Sequence, residues 1–216
     1  MDVLRLGAKN QEAVVDRVAS LLKRGGVIAA PTDTVYGLLA DVTRPDAVAK
    51  VFRIKARSHT KALPVFVRDV VQARHYAFVE RELIKLLEGM WPGQTTVVLR
   101  KKQAMPDAVT GGMKTVGLRV PDHHFMSLLL GRYPHPLTAT SANLSGSEPT
   151  SSAADIQKIF RQHVPAPDLL VDGGILPPSP PSTVIDLTRS DNPRILRMGA
   201  ITKEKLGEIL SQWPKR

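Results

Sequence analysis

The sequence predicts an α/β (α+β) domain, a twisted mixed β-sheet flanked by helices, and three observations carry that expectation. Apolar residues recur at helical period in several segments, short apolar runs too brief for helices alternate with them, and several links between strands are too short for helical crossovers. With 216 residues, 43% of them hydrophobic, the chain can bury a substantial core, and one domain spanning 1–216 is expected.

From Asn10 to Arg24, Val14, Val15, Val18, Leu21 and Leu22 fall on one helical face, and Gly25-Gly26 supplies a left-handed stop. Val27 to Ala30 is too short for a helix and reads as a buried strand running into the turn-prone Pro31-Thr32-Asp33-Thr34. Pro45 opens a second helix that reaches about Lys55, with Val48, Val51 and Phe52 inward. Further strands are expected at Leu63–Val67, Thr95–Arg100, Val116–Val120, Leu137–Thr140, Leu169–Val171, Thr183–Leu187 and Arg194–Arg197. Helices are expected at Asp69–Tyr76, Arg81–Gly89, Asp122–Leu130, Ser152–His163 and Thr202–Trp213. Between them, Pro177-Pro178-Ser179-Pro180-Pro181 lacks backbone donors at its prolines and must be a loop. Apolar strands resume directly after it, so it reads as a surface loop of one domain rather than a linker.

Composition removes several classes of function. Without cysteine there is no thiol nucleophile, disulfide or Cys-based zinc site. No segment approaches the ~18 consecutive apolar residues of a membrane span, and Met1 to Arg5 does not begin a signal peptide, so a cytoplasmic protein is expected. The six histidines, His59, His75, His123, His124, His135 and His163, are dispersed and form no spaced ligand set, so no metal site is expected. There is no Walker sequence, no dinucleotide-binding glycine pattern and no Gly-x-Ser-x-Gly elbow. A formal charge of +10 favours an anionic partner without saying whether it is a nucleotide, an RNA or an acidic surface. Any nucleotide phosphates must be held mainly by side chains and scattered amides.

Two stretches offer such side chains. Arg53, Lys55, Arg57 and Lys61 sit at the end of the second helix and just beyond it, where the helix dipole alone would favour cations. Lys55 and Arg57 are two apart where that helix unwinds, so a point charge and a planar fork can face one anion. Thr138, Thr140, Ser141, Asn143 and Ser145 follow a predicted strand, which suits either ordinary turn chemistry or a ligand site beyond a strand end. Pro31 to Gly37 and Ser182-Thr183 present hydroxyls in similar places.

Taken in order, these segments resemble the YrdC-like family of threonylcarbamoyl-AMP synthases over nearly the whole chain. The resemblance is carried by Pro31 to Leu38, Lys55-Ala56-Arg57, Trp91-Pro92-Gly93-Gln94-Thr95-Thr96, Val116 to Pro121, Ser141-Ala142-Asn143, Asp172-Gly173-Gly174, Ser182-Thr183-Val184-Ile185 and Arg197-Met198-Gly199. It implies a YrdC-like catalytic domain with a concave basic cleft, and a nucleotidyltransferase that makes threonylcarbamoyl-adenylate and pyrophosphate from L-threonine, bicarbonate and ATP, with magnesium accompanying ATP. A tRNA-threonylcarbamoyl transferase complex would then modify adenosine 37 of tRNA; direct contact with tRNA or other double-stranded RNA is left open. No second domain is expected.

By the same resemblance, Thr34, Arg119 and Ser182 bind threonine, Arg119 through its carboxylate. Lys55, Arg57, Thr115, Ser141, Asn143 and Arg197 surround ATP, with Lys55 and Arg57 offsetting charge at the reacting phosphorus. The chain departs from the family pattern at Lys61 (commonly acidic or asparagine), Phe66 (commonly His), Pro181 (commonly Glu) and Met198 (commonly Pro). These departures bear on the threonine side and make relaxed amino-acid specificity an expectation. The proline loop beside Ser182 is expected to form part of a lid. Two other readings stay open: a basic RNA-binding module, and a carbamoyl-adenylate enzyme with an altered substrate.

Overall fold

Residues 1–189 and 192–211 are described by the computed structural model of the chain. In chain order they form β1 (Asp2–Arg5), α1 (Gln11–Lys23), β2 (Ile28–Ala30), β3 (Gly37–Leu39), α2 (Pro45–Ile54), β4 (Val65–Phe66), α3 (Val70–Tyr76), α4 (Arg81–Met90), β5 (Thr95–Arg100), α5 (Asp107–Thr110) and β6 (Thr115–Arg119). There follow α6 (His124–Arg132), β7 (Leu137–Thr138), β8 (Thr140–Ser141), α7 (Ala153–Phe160), β9 (Leu169–Asp172), β10 (Thr183–Asp186), β11 (Arg194–Arg197) and α8 (Lys203–Ser211). The mixed α/β class is the one expected, with the strands distributed over two mixed sheets, β1-β9-β2-β3-β8 and β11-β10-β5-β6-β4-β7.

The apolar run before Pro31 shows why a short segment becomes a strand. Ile28 and Ala30 of β2 face one core cluster with Val14, Val15, Val18 and Leu22 of α1 and Phe125, Met126 and Leu129 of α6. Ala29 faces the other cluster, with Val48, Val51 and Phe52 of α2. A strand buried on both faces must be apolar at every position, and β2 is. Three short elements escaped the sequence reading: β1, a four-residue edge strand with mostly exposed side chains, three-residue β3, and single-turn α5. The end of the predicted helix Thr202–Trp213 lies outside the described residues; the part that is described is α8.

The expected strand Leu137–Thr140 is divided. β7 pairs with β4 in one sheet and β8 pairs with β3 in the other. At the crossing, the Thr138 hydroxyl donates to Leu38 O at 2.7 Å and accepts from Ala40 N at 3.0 Å, while Ala139 N donates to Pro64 O at 2.8 Å. Backbone groups released by the switch therefore find partners across the seam, as buried polar groups must. The seam between the sheets is where the polar side chains gather.

Candidate active site

Helix α2 ends in a way that aims two cations. Ala56 N donates to Arg53 O at 3.1 Å and Arg57 N to Phe52 O at 3.0 Å, the bonding of a Schellman cap, and Ala56 takes the left-handed conformation with φ of 48°. An alanine there costs roughly 1–2 kcal/mol relative to ordinary backbone. The turn sends the side chains of Lys55 and Arg57 into a cavity of about 230 Å³ at the seam.

Four cations from separate stretches line that cavity: Lys55, Arg57, Arg119 at the end of β6 and Arg197 at the end of β11. The hydroxyls of Thr34, Thr140, Ser141 and Ser182 and the amide of Asn143 share its wall, and among the described residues no carboxylate does. Of the sequence-predicted site residues, Thr34, Lys55, Arg57, Arg119, Ser141, Asn143, Ser182 and Arg197 are thus brought together. Thr115 is not. It begins β6 at the end opposite Arg119, roughly 13 Å away along an extended strand. Lys61 is exposed and Met198 is 39% exposed, and neither lines the cavity. Pro181 does line it, and Phe66 lies beneath Arg119, whose guanidinium carbon is 5.7 Å from the ring centroid.

The cations are held differently. Lys55 is 2% exposed, and its Nζ donates to Ser141 O at 2.5 Å, Asn143 O at 2.8 Å and Asn143 Oδ1 at 3.1 Å. An ammonium has three N–H donors, so all three are engaged and Lys55 offers the cavity charge rather than a free donor. Burial, and then the neighbouring Arg57, lower its pKa to about 8. Ser145 N donates to Lys55 O at 2.8 Å, so the lysine ties the helix end to the Ser-x-Asn loop through backbone and side chain together. Arg57 donates from Nη2 to Ala62 O at 3.0 Å, but its Nε is buried without a partner. A buried donor left unpaired is costly and calls for an acceptor. Burial also holds Arg57 and Arg197 below the usual arginine range.

Arg197 donates from Nη2 to Ser182 O at 2.7 Å, and Ser182 Oγ lies 2.8 Å from Thr96 Oγ1. The close approach of the β11 end to this corner requires Gly199, where an added Cβ would stand 2.1 Å from Pro181 O. Arg119, 4% exposed, donates from Nε to Gly93 O at 2.9 Å, from Nη1 to Thr34 Oγ1 at 3.3 Å and from Nη2 to Asp33 Oδ1 at 2.7 Å. Burial lowers its pKa, opposed by Asp33. Asp33 was missed by the sequence reading of the site, as were Thr96 and Gln94, whose Nε2 donates to Asp33 O at 2.7 Å. All three stand inside segments that carry the family resemblance, yet a carboxylate or amide in a turn reads as ordinary turn chemistry until a buried partner appears. No group of three His, Asp or Glu side chains placed to hold a metal occurs among the described residues, and no described helix is long and apolar enough to cross a membrane.

Residues 20–199 match the model of the Sua5/YciO/YrdC family, described as "Telomere recombination". The chain is 30% identical over 211 residues to the threonylcarbamoyl-AMP synthase of Pyrococcus abyssi, covering 97% of this chain and 61% of that one. It therefore spans about three-fifths of the length of that relative. Its fold is similar to the crystal structure of P. abyssi Sua5 complexed with L-threonine, with a TM-score of 0.88, 30% identity, and coverage of 100% of this chain and 62% of that one. It is also similar to the crystal structure of Escherichia coli YciO, with a TM-score of 0.82, 28% identity, and coverage of 94% and 97%.

Proposed function

The chain belongs to the Sua5/YciO/YrdC family, and from that premise we propose that it is an L-threonylcarbamoyladenylate synthase, a nucleotidyltransferase using L-threonine, bicarbonate and ATP. The observation that carries the reading is the convergence of Lys55, Arg57, Arg119 and Arg197 on one cavity beside the hydroxyls of Thr34, Ser141 and Ser182.

The roles follow from the donors each residue has left. A guanidinium has five N–H donors; Arg119 uses three on Gly93, Thr34 and Asp33, which leaves two for the threonine carboxylate. Thr34 and Ser182 hold the rest of the amino acid. Its amine and bicarbonate give a carbamate and water, and a carbamate oxygen then attacks the α-phosphorus of ATP as pyrophosphate leaves. Negative charge grows around that phosphorus. Arg57, through its unpartnered Nε, and Arg197 are the direct donors, Lys55 supplies charge, and Ser141 and Asn143 shape the loop around the phosphates. Among the described residues no carboxylate lines the cavity, so its wall does not fit a protein-held magnesium site; magnesium enters as part of the ATP substrate, and no step is assigned to it. Neither does the reaction need a protein nucleophile. Holding all reactants together suits a carbamate that is short-lived in water. The adenylate passes to a cytoplasmic transferase complex that modifies adenosine 37 of tRNA.

Pyrophosphate release from ATP and magnesium, measured with and without L-threonine and bicarbonate and alongside mass detection of the adenylate, tests the proposal. Release that requires both co-substrates is expected. ATP binding with no product under any combination would replace it with a changed substrate or a binding role.

A further inference from the structure

The Arg119–Asp33 ion pair stands between the cavity described above and a second one of about 670 Å³, and Thr34 lines both. The second cavity is opposite in character. Asp33, Asp122 and His123 line it, and no described lysine or arginine does, in a chain whose net charge is +10. Prolines 177, 178 and 180 form its other wall.

Asp33 and His123 of that wall each carry a buried polar atom without a hydrogen-bond partner, Oδ2 and Nδ1, and the Asp33 side chain is only 6% exposed. A buried carboxylate oxygen left unpaired is costly, so the wall is incomplete without a ligand that donates to it. Burial lowers the pKa of His123, with His124 acting in the same sense and Asp33 and Asp122 opposing, so the ring adds no positive charge near neutral pH.

Each member of the ion pair keeps unused capacity. Arg119 has two N–H donors left, and Asp33 has Oδ2, while Asp33 Oδ1 sits 2.7 Å from the guanidinium. A receptor for a carboxylate and a receptor for an ammonium group therefore lie side by side. An α-amino acid carries its own carboxylate and ammonium on one carbon, in the complementary arrangement. We infer that Asp33 accepts the α-ammonium group of an amino acid whose carboxylate is held by Arg119, and that this amino acid enters through the proline-walled cavity. The inference rests on the threonine reading of the site and adds the residue that selects for the amine. A hydroxy acid of the same length satisfies Arg119 but leaves Asp33 Oδ2 unpaired.

The test is calorimetric titration of the full chain with L-threonine and with (R)-3-hydroxybutanoate, which keeps the carboxylate and hydroxyl and lacks the amine, with pyrophosphate release measured in parallel. Wild type is expected to favour threonine by about tenfold or more, the worth of a hydrogen bond to a charged group. In Asp33→Asn that preference is expected to fall toward unity. Equal binding of the two ligands by wild type overturns the inference, as does an unchanged preference in folded Asp33→Asn. If Asp33→Asn does not fold, the wild-type comparison decides alone. Turnover with threonine but no preference for the amine removes this inference and leaves the synthase reading standing. Amine preference without turnover does the reverse, and neither threonine binding nor turnover removes both.

Discussion

Helices α1 and α2 end with the same hydrogen-bond pattern and serve different ends. At α1, Gly25 N donates to Leu22 O at 2.9 Å and Gly26 N to Leu21 O at 2.9 Å, with Gly25 at a φ of 82°. At α2 the left-handed position is Ala56, and the residues on either side of it are the cavity cations Lys55 and Arg57. Glycine closes α1 without strain and turns the chain into β2. Alanine closes α2 with strain, at the site, where a stiffer turn fixes the direction of two charged side chains. The comparison teaches that one local motif serves as punctuation where nothing is bound and as a positioning device where charge must be aimed.

Four substitutions test that contrast. Arg57→Ala removes the orphaned donor, and turnover is expected to fall about 100- to 1000-fold, as for other donors to developing transition-state charge. Thermal unfolding should barely change, because the Arg57 side chain makes one hydrogen bond, to Ala62 O.

Lys55→Met is the next largest, with turnover down about 100-fold and stability also reduced, since the three hydrogen bonds of Lys55 to Ser141 and Asn143 are lost. It has a pH signature as well. Lys55 titrates near 8 in the folded chain against an ordinary value of 10.5, so between those values the unfolded chain binds more protons. The stability contribution of this group accordingly improves as pH rises through that window. Nucleotide affinity moves the other way, weakening above about pH 8 as the charge is lost, and titrations across pH 7 to 10 should show that limb in wild type and not in Lys55→Met.

At the other helix end, Gly25→Ala is expected to cost about 1–2 kcal/mol in denaturant titrations and to leave turnover untouched. A new Cβ there meets only the flexible tips of Asp46 and Arg44, so backbone conformation sets the cost. Ala56→Gly should be the smallest, gaining about 1 kcal/mol of stability by removing the left-handed strain. Turnover should drop by less than about tenfold, as a freer turn aims Lys55 and Arg57 less well. Increased stability with full turnover would show that the alanine has no positioning role.

Much of this was legible in the chain. The periodicity of Val14, Val15, Val18 and Leu22 and the glycines after it define α1, and the bounds of β5 and β11 agree with the sequence reading, because packing agrees there with local pattern. The Lys-x-Arg and Ser-x-Asn elements marked four residues, Lys55, Arg57, Ser141 and Asn143, that do share one cavity. What the sequence by itself determined, then, was the succession of helices and strands and the residue types available for anion chemistry, since these depend on short-range period and composition.

Only the tertiary structure decided the rest. Leu137 to Thr140 reads as one strand, and just the competition between two sheets for its hydrogen bonds divides it at Ala139. Thr115 and Arg119 belong to one strand, and only the position of the seam puts one in the site and the other far from it. Lys55 reads as a phosphate ligand until its three donors are found on Ser141 and Asn143, 86 and 88 residues away. Asp33 reads as a turn residue until Arg119, 86 residues away, is buried against it. In each case the deciding fact is a hydrogen bond or ion pair between residues distant in the chain, and no local pattern encodes which partner burial will supply.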